Sequence, residues 1–407
     1  VLAPERHSRR DLLAAAAIVV VVAVAAAVVW VRSDARATTS ITAASPLPAL
    51  VPAAAPPTSL TPLWTAPSAA TRVPAVAAGA VVTGDGSGVQ GRDPSTGTVV
   101  WSYTRDLALC AVTAEWSRAV AVYRDGQGCS QVTSLEGATG ERGPQRSSEA
   151  DDAVTLTGDG TYLTSVGSTR LEVWRSDLVR TLEYGRVDQL ISPGFQPRTG
   201  CTLRSAASVP ARLTVVETCP GDAADRLTLL DPAPADAAKP EVRASVLLPS
   251  SGARVLAVTA TEEAVLLPGA DGGPQVAVYS GAGVLLSQAP VPLTAADLAA
   301  LTSSPVLPTV ATGAVTVVTV GTTALALGSS DLALRWSTAG VLGAGTLVGG
   351  ALLVPTDGAV TELDPATGTV GRAVPVDRGG WAGPVELSTA GPVLLEQRGP
   401  TLAALGS

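Results

Sequence analysis

The chain has 407 residues, 46% of them hydrophobic and 15% charged, which is too apolar for disorder and long enough for two or three domains or one large repeat domain. Five Arg and three acids make residues 1–36 net +2, so of the formal −8 the rest carries −10; an acidic body excludes nucleic acid as a partner, because phosphate binding needs clustered cations. The one histidine is His7, so the chain beyond it has no imidazole base, His metal ligand or Ser-His-Asp triad.

Residues 1–11 form a short leading segment with Arg6, Arg9 and Arg10. Residues 12–31, LLAAAAIVVVVAVAAAVVWV, are uncharged. As a helix they span about 30 Å, the thickness of the hydrocarbon core, so they read as a transmembrane signal anchor. The preceding arginines favour a cytoplasmic N-terminus, and Trp30 sits where an interfacial aromatic anchors the far end. The competing reading is a cleaved signal peptide, with Ala35-Arg36-Ala37 as the cleavage site. Either reading exports the remainder of the chain. Residues 32–59 contain Pro46, Pro48, Pro52, Pro56 and Pro57 among Ala, Ser and Thr. Proline fixes φ and removes donors, so this stretch is expected to be a loose, extended linker.

From residue 60 the composition changes. Short Val-, Leu- and Thr-rich runs alternate with Gly, Pro and Asp, as in Ala119–Tyr123, Arg212–Glu217 and Ala314–Thr319. These are strands by composition and length. One helix is expected, Ala295–Leu301, with Thr294 as its N-cap.

A repeat organises these strands. Gly91-Arg-Asp-Pro-Ser-Thr-Gly-Thr-Val-Val-Trp101 has the form A-x-D-x-x-T-G-x-x-x-W, with Gly in place of Ala. Its turn, carried by Asp93, Thr96 and Gly97, recurs as Asp364, Thr367 and Gly368, and again at Leu135–Gly140. Looser copies lie at Val278–Gly283, Val173–Asp177, Leu230–Ala233 and Leu327–Asp331. Asp and Thr bond turn backbone, and Gly supplies φ > 0 before the next strand. At the Trp position Trp101 and Trp336 match; Pro144, Leu182, Ser287 and Arg372 do not.

The pattern resembles the tryptophan-docking motif of quinoprotein-like β-propellers, the pyrroloquinoline-quinone dehydrogenase repeat family. That resemblance implies one four-stranded blade per repeat, with the motif joining the third strand to the outermost. Seven turns occur within the chain. An eighth blade is split between the ends: Thr401–Leu405 reads as its third strand and Leu60–Trp64 as its outer strand, with Trp64 in the docking position. The expected fold is therefore all-β, an eight-bladed β-propeller over residues 60–407 preceded by one transmembrane helix. Seven blades is the alternative count, and a pair of β-sandwiches the third reading. The near-absence of Lys and the lack of Met and Asn point to a high-GC genome of the actinobacterial kind.

In this blade assignment Cys110 and Cys129 return to one rim of a single blade, as do Cys201 and Cys219. Local bridges are expected, each worth about 3 kcal/mol for a loop near 20 residues, and they fit an exported compartment. A four-Cys zinc site lacks the short C-x-x-C spacing.

The family's quinone enzymes place adjacent cysteines over the cofactor and an Asn among calcium ligands. This chain has neither an adjacent Cys pair nor any Asn, so no catalytic, cofactor or metal residue is carried over. Asp151-Asp152 and Glu262-Glu263 are adjacent and read as loop ends rather than acid/base couples. Gly84–Gly88, Asp125–Gly128 and Asp271–Gly273 read as hairpin turns. Trp116 and Trp381 read as packing, or as rim contacts for a partner. The expected function is noncatalytic: a membrane-tethered propeller that scaffolds a cell-envelope protein or glycan, with no cofactor. The resemblance supplies precedents for this in the propeller lipoprotein of the outer-membrane barrel assembly machine and in sensor domains fused to kinases. A small-ligand sensor is the alternative, and a carboxylate-based hydrolase in the propeller funnel the second alternative.

Overall fold

The computed structural model describes residues 8–31, 33, 36–188, 194–269, 272–301 and 304–407; Arg6, His7, Arg32, Ala35 and Asp271 lie outside them. Eight antiparallel sheets form a ring of eight blades. Blade 1 runs from the inner strand Ala75–Ala77 to the outer strand Val99–Thr104, and blade 2 from Leu109–Glu115 to Arg142–Ser147. Blade 3 runs from Thr155–Gly158 to Arg180–Gly185, and blade 4 from Thr202–Val209 to Val242–Leu247. Blade 5 runs from Arg254–Val258 to Leu285–Pro290, blade 6 from Thr309–Ala311 to Leu334–Ala339, and blade 7 from Thr346–Val348 to Val370–Pro375.

Blade 8 is made from both ends of the propeller's sequence. Val385–Ala390, Val393–Arg398 and Thr401–Gly406 are its first three strands, and Thr61–Pro67 is its outer one. The closing register pairs Thr61 with Gly406 and Pro67 with Thr401. Thr71 donates to the Gln397 side chain at 2.8 Å, and Gln397 donates to the Ser68 carbonyl at 3.0 Å. Closure hides two sheet edges that a linear array would expose.

The middle strands of each blade are mostly buried because each blade is sandwiched between two others. Between blades 1 and 2, Val82, Val89, Trp101 and Tyr103 meet Val112, Ala121, Tyr123 and Leu135. Between blades 5 and 6, Ala264, Leu266 and Val278 meet Val318, Leu325 and Leu327. Short helix Ala295–Ala300 lies in the crossover between those blades, capped by a reciprocal Thr294–Asp297 box.

The antiparallel meander gives the ring two faces. Turns joining first to second and third to fourth strands share one face, the docking-turn face; the other turns and the blade crossovers share the opposite, crossover face. The linker is extended, as its prolines require, but it is not loose. Thr39–Ile41 adds a fifth strand to blade 1, pairing with Ser102–Thr104. The Ala43 and Leu47 amides then donate to the Thr139 and Ala138 carbonyls of blade 2 at 2.9 and 3.0 Å. The strap continues past Gly79 of blade 1, Gly391 of blade 8 and Gly349 of blade 7, each a first turn on the docking-turn face. Leu47, Leu50 and Ala53 pack onto blade cores there. Pro/Ala composition concealed these apolar anchors. Arg9–Val31 forms one helix with no side chain buried, long and apolar enough to cross a membrane.

Candidate functional site

The repeat motif builds the joints between blades. Gly97 and Gly140 hold φ at +71° and +72°, and Gly368 at +69°. Asp93 accepts the amides of Ser95 and Thr96, both at 2.9 Å, and Asp364 those of Ala366 and Thr367 at 2.8 and 3.0 Å. The Ser95 hydroxyl bond is the main cause that holds the Asp93 carboxyl below its ordinary value. Each Trp docks on the turn of the next blade. Trp64 covers Gly97 and donates to the Pro94 carbonyl at 2.8 Å. Trp101 covers Gly140 and donates to the Gly137 carbonyl at 2.7 Å, and Trp336 covers Gly368 and donates to that of Pro365 at 3.1 Å. Gly stands at 91 because a Cβ there would collide with the Trp101 ring opposite it in register.

Blades whose motif lacks Trp use other groups, which the sequence pattern does not reveal. Arg146 of blade 2 donates to the Leu178 carbonyl of blade 3 at 2.9 Å, and Thr181 of blade 3 donates to the Pro232 carbonyl of blade 4 at 2.8 Å. Val246 of blade 4 packs at Gly283 of blade 5. Leu178 and Leu332 take the left-handed conformation, with φ of 58° and 48°, that Gly supplies elsewhere. Both side chains are buried, so apolar burial offsets backbone strain.

Disulfides join Cys110 to Cys129 and Cys201 to Cys219. Glu217 lies beside the second bridge, where it accepts the Tyr184 and Thr228 hydroxyls at 2.8 and 2.6 Å; burial pushes its carboxyl upward. With both thiols oxidised, these residues do not offer a metal a thiolate pair.

The weaker sequence candidates serve structure. Asp151 accepts the Thr169 and Arg170 amides at 2.7 and 3.2 Å, and Asp125 accepts the Gln127 amide at 2.7 Å. Glu263 is buried and paired with Arg212. Gly84–Gly88 is a hairpin turn, with Asp85 paired to Gly88. Trp116 donates to the Thr161 carbonyl at 3.2 Å, joining blade 2 to blade 3. Trp381 lies at the crossover-face mouth of an axial channel and donates to the Pro384 carbonyl at 3.0 Å.

That channel has two chambers, of about 550 and 470 Å³. They share Thr71, Arg72, Thr155, Leu307 and Pro308, so Arg72 stands at the waist. Among the described residues the larger chamber is lined by one carboxylate, Glu115, and the other by one, Glu386. Burial raises each to about 7. A Gly160 amide opposes the shift at Glu115, and the Ala344 amide and Arg72 oppose it at Glu386. Among the described residues neither chamber holds the facing carboxylate pair that a glycosidase mechanism requires.

Outer strands show a second contrast. Those of blades 2, 3, 4, 6 and 7 carry at least one charge: Arg142, Arg180, Arg243, Arg335 and Arg372. Blade 1's uncharged edge is covered by Thr39–Ile41, and blade 8's carries Pro62 and Pro67. Blade 5's edge, Leu285–Pro290, has no charge and, among the described residues, no added strand, and its proline is its last residue. Val284, Leu285 and Leu286 are 60%, 48% and 52% exposed along it.

No family model matches the chain, and no curated protein matches it. Solved structures do. BamB from Moraxella catarrhalis is 14% identical with a TM-score of 0.50, covering 86% of this chain and 98% of that one. Saccharomyces cerevisiae Sqt1 is 10% identical with a TM-score of 0.55, covering 88% and 99%. The computationally designed Ika8 protein is 14% identical with a TM-score of 0.54, covering 89% and 100%. At these identities the likeness establishes the fold, and together with the ring of eight sheets it places the chain among β-propellers.

Proposed function

We propose that the chain is a noncatalytic, membrane-tethered scaffold that binds a protein partner in the cell envelope through the outer edge of blade 5. The observation that carries this reading is the unguarded Leu285–Pro290 edge. A sheet edge offers a row of free amides and carbonyls, and proteins blunt such edges with charge, proline or cover. Every other blade here uses one of those devices. Blade 1 also demonstrates the chemistry, since its uncharged edge takes the extended segment Thr39–Ile41. Blade 5 is suited to an extended segment of another protein, added as a strand. The apolar helix and the two disulfides support an exported, anchored location. The strap occupies part of the docking-turn face and leaves blade 5's rim clear.

A photoreactive amino acid at Leu286 tests this in native membranes. It should yield one crosslinked protein adduct, mapped to an extended segment, that Gln288→Lys abolishes by charging the edge. The same group at Val370, 61% exposed on blade 7, should yield none. Equal labelling at both positions, or none at Leu286, rejects the reading.

A further inference from the structure

The axial channel is lined by an arginine, Arg72, unlike the buried arginines of the blades and crossovers. Arg170 donates to Glu183 at 2.9 Å, Arg254 to the Leu301 carbonyl at 3.2 Å and Arg378 to Glu396 at 2.8 Å. Arg72 makes no hydrogen bond or ion pair among the described residues; its one electrostatic partner is Glu386. It is solvent-exposed although it sits at the waist of the ring. A guanidinium has five donors to satisfy, and here they face the channel.

Glu386 is the second residue of the inner strand of blade 8. One of its oxygens accepts the Ala344 amide at 2.7 Å, which fixes the carboxyl against blade 7. The chamber shared by these groups, about 470 Å³, opens on the crossover face and lies in the range of small-ligand sites. Gly321, Gly343 and Gly399 line its wall, where Asp297, Val385 and Trp381 pack against them, and Trp381 lines it beside Gly399.

We propose that this chamber binds a small zwitterion, an α-amino acid or close analogue, with its carboxylate on Arg72 and its ammonium on Glu386. A simple anion would satisfy Arg72 but lie against Glu386, and a simple cation would do the reverse. A bipolar ligand answers Arg72 and the ionised form of Glu386, which line one chamber without pairing. Trp381, which lines the same chamber, then borders the ligand's side chain.

Thermal-shift and calorimetric titration of the full chain in detergent, with each standard amino acid at millimolar concentration, tests the site. At least one should raise the melting temperature. Its deaminated acid and its decarboxylated amine should each bind at least about tenfold more weakly, because each lacks one of the two charges. Arg72→Gln and the isosteric Glu386→Gln should each abolish the shift while melting cooperatively without ligand, and Arg72→Lys should retain part of it. The proposal is overturned if no amino acid shifts the melting temperature, if the shift survives both neutralising substitutions, or if the acid alone binds as well as the amino acid. Blade 5's edge is remote from Arg72 and Glu386 in the fold, so crosslinking at Leu286 succeeds or fails independently of this result.

Discussion

Gly140 holds its left-handed conformation beneath the Trp101 ring, and a methyl group there would lie 2.6 Å from Trp101 Cβ. Gly86 has a similar φ, 57°, but nothing within 4 Å of such a methyl. Gly86→Ala should therefore cost about 1 kcal/mol, the backbone term alone. Gly140→Ala should cost about 2–4 kcal/mol, because overpacking is added. Equal losses in chemical denaturation would show that the Trp joint contributes nothing. Glu115 gives a pH signature. Its folded value near 7 lies above its ordinary 4.5, so between those values the folded chain holds a proton that the unfolded chain has released. Stability then falls as pH rises through that window. Glu115→Gln should flatten this fall and melt higher than the parent at pH 8, with little difference near pH 4; parallel melting curves across the range would contradict it. The Trp joints were legible in the sequence because Gly, Asp and Trp each have a distinct local role. Arg146, Thr181 and Val246 were not, since three unrelated side chains replace one Trp. Arg72 and Glu386 come from opposite ends of the propeller's sequence, and only ring closure brings them together.

The strap and the closing strand are elements whose contributions can be separated by truncation. Removing residues 1–37 leaves Thr39–Ile41 and everything after it, and should leave the melting temperature unchanged. Removing 1–58 also strips half-buried Leu47 and Leu50 from the blade cores, a loss of about 2–4 kcal/mol of apolar burial. Removing 1–70 further deletes Thr61–Pro67 and exposes the Thr401–Gly406 edge, so it should melt lowest or aggregate. Identical melting of the 1–58 and 1–70 truncations would mean that the N-terminal strand does not close the ring. The closing strand was legible because Trp64 stands in the docking position of a motif that the C-terminal end leaves incomplete. The strap was not. Its prolines and alanines match a free linker, and its few leucines find partners only on a surface that the assembled ring provides.

The propeller as a whole is a closed ring whose blades meet through apolar clusters and are latched by polar joints. Arg378, in the crossover from blade 7 to blade 8, donates to the Thr356 and Ala359 carbonyls at 2.6 and 2.8 Å while holding Glu396. If the Arg9–Val31 helix anchors this ring outside the cytoplasm, a reporter fused after Ser407 is active only on the far side of the membrane; cytoplasmic activity would remove the basis for both export and the scaffold's location. The scaffold claim itself is tested most directly by backbone amide exchange along Leu285–Pro290, compared between native membranes and the purified chain. The outward amides of this strand should exchange rapidly in the purified chain and become protected when the partner strand is present in membranes, while Val370–Pro375 of blade 7 exchanges alike in both. Unchanged exchange of Leu285–Pro290 between the two preparations would contradict the account.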